Sequence, residues 1–168
     1  MTQWGRHGGA RVLGAVLAAS QAGCAFFSSA PAPEALLISR LSDARWTATT
    51  YEAASAPAHR RRLNWGTPVS IIGEVVDVSC FLQLGKRGPA HAECGQQCIR
   101  NGQPVGILTD HGDLYLVIPE EHHPRRDGHT SIKERFAELM GRRVEVSGML
   151  ARQKGSRALF VRTLPMEE

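Results

Sequence analysis

Aromatic side chains are scarce in this chain of 168 residues, at 6% of positions. Proteins that hold single-stranded nucleic acid use several rings to stack the bases. Here Tyr115 is the only ring on the second and third strand-like runs, and Trp65 lies just before the first. The cysteines do not form C-x-x-C or C-x-x-C-H, so the usual spacings for thioredoxin-like exchange and for covalent haem attachment are missing. No internal repeat is visible, and no nucleophile, base and orienting group can be picked out as a catalytic set. The sequence therefore points away from an enzyme. A small β-domain with a non-catalytic site is the expectation.

The formal net charge of +4 invites a nucleic-acid reading, but the N-terminus removes most of that charge. Residues 1–23 combine a short n-region bearing Arg6 and Arg11, an apolar stretch from Val12 to Ala19, and the small-residue site Gln21-Ala22-Gly23 before Cys24. This is a secretory signal pattern, and its apolar stretch is too short to span a bilayer. Ala22-Gly23-Cys24 resembles the end of the bacterial lipoprotein signal, which implies that Cys24 becomes a diacylated mature N-terminus. Gln21 departs from the Leu preferred there, so ordinary signal-peptidase cleavage stays open. Removal of residues 1–23 takes 20 basic residues to 18 against 16 acidic ones, a net charge of +2. The expected partners are a membrane, reached through the lipid, and an envelope protein that the sequence does not identify; nucleic acid is not among them. The expected location is the bacterial cell envelope, lipid-anchored and facing the periplasm.

From residue 24 to 68 the composition is rich in Ala, Pro and Ser (SSAPAP, AASAPAH), as in a tether. An amphipathic helix between Pro33 and about Ala54, with Leu37, Leu41 and Ala44 on one stripe, is expected within it. The basic run His59 to Arg62 reads as a solvated patch.

The folded domain is expected over 69–168. Val69 to Cys80 alternates as a β-branched strand, and Gly73 suggests a bulge or bend. Pro104 to Thr109 and Asp113 to Ile118 form a hairpin around Asp110-His111-Gly112. After a polar loop, PEEHHPRRDGH, Ser131-x-x-Glu134 suggests a capping box for a helix that buries Ile132, Phe136, Leu139 and Met140. Arg143 to Gln153 and Ala158 to Leu164 are the fourth and fifth strands, joined at Lys154-Gly155-Ser156. The chain is thus mainly β with one or two helices, in the order β-β-β-α-β-β. That order, with GEVVDVSC and GRRVEVSGML, resembles the small five-stranded OB barrel. A small β-sandwich is the alternative.

Between strands one and two lies an insertion, residues 80–102, with three of the four cysteines. Pro89 and Gly102 suit the start and end of a helix on which His91, Cys94 and Cys98 fall at i, i+3 and i+7, on one face. Cys80, folded back through Gly85 and Gly88, completes a Cys3His set. Such a set suits one tetrahedral Zn(II) ion, and a subset of it suits Cu(I). A disulfide from Cys80 to Cys94 or Cys98, leaving one thiol free, stays open, as do redox-active cysteines. The histidines of the polar loop, His122, His123 and His129, read as exposed residues.

The segment VDVSCFLQLGKRGPAHAECGQQCIRNGQPVGILTDHGDLYL resembles a group of uncharacterised exported bacterial proteins. The shared positions are Cys80, Gly85, Gly88, His91, Cys94, Cys98, Gly102, Pro104 and Gly106. The resemblance implies an exported module with no established reaction. The functional expectation is an envelope-anchored, non-enzymatic domain binding Zn or Cu through Cys80, His91, Cys94 and Cys98. A disulfide-stapled OB-like binding module, or a thiol-redox protein of the envelope, is the alternative.

Overall fold

Strand β2 (Thr67–Asp77) organises the fold because it pairs with two different neighbours along its length. In the computed structural model, which describes residues 34–120 and 131–162, its first two thirds run antiparallel to β5 (Arg143–Gln153) and its last four residues to β3 (Val105–Leu108). The hand-over falls at Gly73 and Glu74. The register with β5 continues unbroken through Gly73↔Val144, so there is no bulge of that pair. Glycine is required for a different reason: a β-carbon at Gly73 would lie 2.6 Å from the Leu108 carbonyl oxygen. The strand bends where it lies against the backbone of its second partner.

Strand β3 turns through Gly112 (φ 83°) into β4 (Leu114–Pro119), which lies parallel to β6 (Ser156–Val161). β6 pairs antiparallel with β5 through a two-residue turn at Lys154 and Gly155, both at positive φ as that turn demands. Since β5 also pairs with β2, the order β2-β3-β4-β6-β5 closes on itself as a five-stranded barrel in a mainly β molecule.

Helix α5 (Ser131–Glu138) and the turn after it plug the barrel with Ile132, Phe136, Leu139 and Met140, all buried as the i, i+4, i+7, i+8 spacing predicts. Phe136 is fully inaccessible among Val75, Ile107, Val144, Val146, Leu159 and Val161. Burial of such a ring stabilises the fold by about 1.5–3 kcal/mol. The Glu134 carboxylate pairs with Arg100 at 2.7 Å. The loop histidines, Cys24 and the signal-like segment lie outside the described residues.

The stretch expected as a tether is ordered against the barrel from Leu36 onward. Instead of an amphipathic helix, Leu36–Leu37 form a short strand β1 parallel to Val144–Glu145, followed by a 3-10 turn (Leu41–Asp43), α1 (Ala48–Ala53) and α2 (Pro57–Leu63). The proposed stripe does not form, since Leu37 and Leu41 are more than half exposed. Polar contacts fix the path instead. Ser39 and Ser147 exchange two hydrogen bonds of 2.8 Å, the Thr47 N–H donates to Glu120 at 2.7 Å, and the Trp46 indole donates to the Leu63 carbonyl at 2.9 Å. With α3 (Val78–Leu84) and α4 (Ala92–Arg100), the described residues hold five α-helices rather than one or two.

Candidate metal centre

Asp77 ends β2 and caps α3. Its Oδ1 accepts hydrogen bonds from the Ser79 N–H (2.9 Å) and the Cys80 N–H (3.4 Å), satisfying donors that a helix start otherwise leaves orphaned. Cys80 therefore sits in the first turn of a helix, not at the end of a strand. In that turn the capping residue and the third helical residue face each other, which sets the Cys80 thiol beside the Asp77 carboxylate.

Helix α3 stops at Gly85, whose φ of 66° is the left-handed conformation that suits glycine. The chain then returns through Gly88 (φ 75°), whose N–H donates to the Glu74 carboxylate. Gly88 packs so closely on Gly141 that a β-carbon there would fall 2.8 Å from the Gly88 carbonyl. Pro89 starts a 3-10 turn ending at His91, and the His91 N–H donates to the Gly88 carbonyl at 3.0 Å. Helix α4 follows, as expected from Pro89 and Gly102. It seats Gly95 against Met140 and buries Ile99.

These devices bring ligand atoms of Asp77, Cys80 and His91 within 4.8 Å of one another. Asp77 is fully inaccessible and His91 is 6% exposed. Asp77 Oδ2 and His91 Nε2 are buried without a hydrogen-bond partner among the described residues. The Cys80 thiol is pushed up to about 11, chiefly by its hydrogen bond to Asp77, then by burial and the carboxylate charge. Cys98, half-buried on α4, lies within hydrogen-bonding reach of Cys80. Its thiol is also raised, by burial first and then by the charge of Asp77 and the neighbouring Cys94.

Of the four residues expected as ligands, Cys80 and His91 thus meet at the centre and Cys98 borders it. Cys94 is exposed on α4 and outside the group of three. Asp77, which is not among the four expected ligands, is a member of the group itself. The spacing D-x-x-C at a strand-to-helix junction was the available signal. Cys80, Cys94 and Cys98 are all free thiols.

A carboxylate oxygen, an imidazole nitrogen and one or two sulfurs form a mixed set, which suits Zn(II) better than the softer Cu(I). The same residue types serve cysteine nucleophiles in other proteins, but there the thiol is activated. Here the carboxylate faces the thiol and holds its proton on, which opposes nucleophilic attack. Set against protein-family models, curated proteins and solved structures, the chain matches none.

Proposed function

We propose that the domain binds one zinc ion through Asp77, Cys80, His91 and Cys98, and that it holds or hands on the metal rather than catalysing a reaction. The carrying observation is the pair of buried, unpartnered atoms, Asp77 Oδ2 and His91 Nε2, converging with the Cys80 thiol. Leaving each of them unsatisfied costs about 1–3 kcal/mol, and one cation relieves both. The carboxylate and the two thiolates bring three negative charges to the dication, leaving the loaded site at −1, while the imidazole binds as a neutral ligand. With Cys98 as fourth ligand the coordination sphere is closed, as in structural and storage sites.

The strand order and the parallel β4–β6 pair support an OB-like reading of the barrel, with the site in the connection between its first two strands. The N-terminal pattern supports export to a bacterial envelope with a lipid on Cys24. Labelled palmitate is then expected to enter the wild type and not Cys24→Ser.

The metal reading is tested by elemental analysis of protein purified under reducing conditions. Close to one equivalent of zinc is expected in the wild type, and a sharp loss in Asp77→Asn, Cys80→Ser and His91→Ala. A disulfide-stapled or thiol-redox module is the competing reading, favoured by the proximity of Cys80 to Cys98. Metal-free protein in which alkylation and mass spectrometry find those two cysteines protected would establish it instead.

A further inference from the structure

On the outer face of the β5–β6 hairpin, away from the cysteines, side-chain size falls in steps. Met149 pairs with Phe160, Ala151 with Ala158, and Gln153 with Ser156. The first pair lies beneath the N-terminal segment, where the Trp46 ring meets Phe160 edge-on at 5.3 Å. The alanine pair leaves a flat floor with nothing filling the space above it. Trp46 and Trp65 wall this space, giving a cavity of about 300 Å³. That is the lower end of the range for small-molecule sites, which are mostly apolar with a few polar groups that orient the ligand.

Two features indicate the occupant. Trp65 is 66% exposed in a chain poor in aromatics, and it is held in place by the Arg62 guanidinium stacked 4.3 Å from its ring centre. Arg62 is the charged side chain that reaches this space, since Arg152 alternates to the opposite face of β5 from Ala151 and Gln153, and Arg62 has no ion-pair partner among the described residues. A flat floor with aromatic walls suits a planar ring system. A guanidinium without a carboxylate beside it suits an anionic group on its edge.

We infer that this cavity is a binding site for a flat aromatic anion, distinct from the metal centre. The ring system lies on Ala151 and Ala158 between the two tryptophans, and its carboxylate or sulfonate faces Arg62. The two sites use different residues, so the inference does not depend on the zinc reading.

The test uses a matched pair of fluorescent probes, 8-anilinonaphthalene-1-sulfonate and N-phenyl-1-naphthylamine, which share rings and differ by the sulfonate. The full chain is expected to bind one sulfonate probe saturably, more tightly than the neutral one. In Arg62→Gln the sulfonate probe is expected to lose about tenfold in affinity, the scale of a hydrogen bond to a charged group. The neutral probe is expected to change little. Ala158→Leu fills the floor and is expected to abolish both. Should that variant fail to fold by circular dichroism, Trp65→Ala serves in its place, because so exposed a ring can be truncated without disturbing a core. No saturable binding, equal affinity for the two probes, or sulfonate binding undiminished in the Arg62 variant or in the floor and wall variants overturns the inference.

Discussion

On either side of Asp77 the same chain obeys different physics. Before it, Val75 and Val76 are fully buried in a barrel held by aliphatic packing, a paired backbone and one plugging helix. After it, from Ser79 to Gln103, only His91, Gly95 and Ile99 are buried, and the path is set by a capping carboxylate, three glycines at positive φ and the close approach of Gly88 to Gly141. Buried polar atoms without a described partner occur on both sides, Glu120 Oε2 and Arg162 Nε at the barrel and Asp77 Oδ2 and His91 Nε2 at the insertion, but the latter pair is the one that converges with a thiol. The difference teaches that apolar burial accounts for the first region, whereas a helix cap, glycine turns and close backbone packing account for the path of the second.

The largest effect expected from that contrast lies in the barrel. Phe136→Ala is expected to cost about 3–5 kcal/mol in urea denaturation, by the same amount with or without a chelator, because the ring lies in the aliphatic core. Next comes the metal itself. Chelation is expected to lower the melting temperature of the wild type, to leave His91→Ala unchanged, and to speed amide exchange in residues 79–103 while β2 and β5 stay protected. Cooperative unfolding of the barrel on chelation would break the comparison and make the two regions one unit. A finer separation uses Asp77: Asn retains capping ability whereas Ala costs about 0.5–2 kcal/mol more, although both lose the metal.

The pH dependence of metal-free protein follows from the raised Cys80 thiol. A folded state that holds the proton beyond the ordinary thiol value of 9.0, up to about 11, draws stability from it fully below pH 9. That contribution is expected to disappear as pH rises through the interval, and Cys80→Ser is expected to remove this part of the profile. The smallest effect is that of Cys94→Ser. An exposed residue outside the central group is expected to change stability and zinc affinity by under about 0.5 kcal/mol. A large loss there would return Cys94 to the ligand set.

Much of the barrel was legible because its signals are local and periodic. Arg143 to Gln153 alternates along its length, and Ile132, Phe136, Leu139 and Met140 repeat at helical spacing, so their burial could be read directly. The faces of β2 were harder to assign: strict alternation over Val69 to Cys80 puts Ile72 and Val76 on one face, yet Ile72 is exposed while Val76 is fully buried. A strand that changes partners at Gly73 does not keep one solvent face. The ligand set was legible in part because Pro89 and Gly102 bracket a real helix. Asp77 was undervalued because its role appears only when Val78 begins a helix instead of continuing the strand. The N-terminal segment was misread for a third reason. Its order comes from long-range polar contacts such as Thr47 to Glu120 and Ser39 to Ser147, which leave no periodic trace in an Ala- and Ser-rich sequence.

The two residues of β1 have a consequence for how the molecule meets its own copies. Leu36 and Leu37 cover one side of β5 at Val144 and Glu145, where the other side is already taken by β2. A free strand edge is a template on which a second chain can pair. A chain shortened to begin at residue 69 is therefore expected to keep its five-stranded barrel yet to self-associate through the bared edge of β5, seen as a concentration-dependent rise in mass by light scattering. Proline in place of Glu145, whose backbone faces the β1 side, would remove an N–H from that bared edge. The cover continues past the dipeptide through Ile38, whose N–H donates to the Glu145 carbonyl at 2.8 Å, and Ser39, so four residues stand between that edge and a second chain.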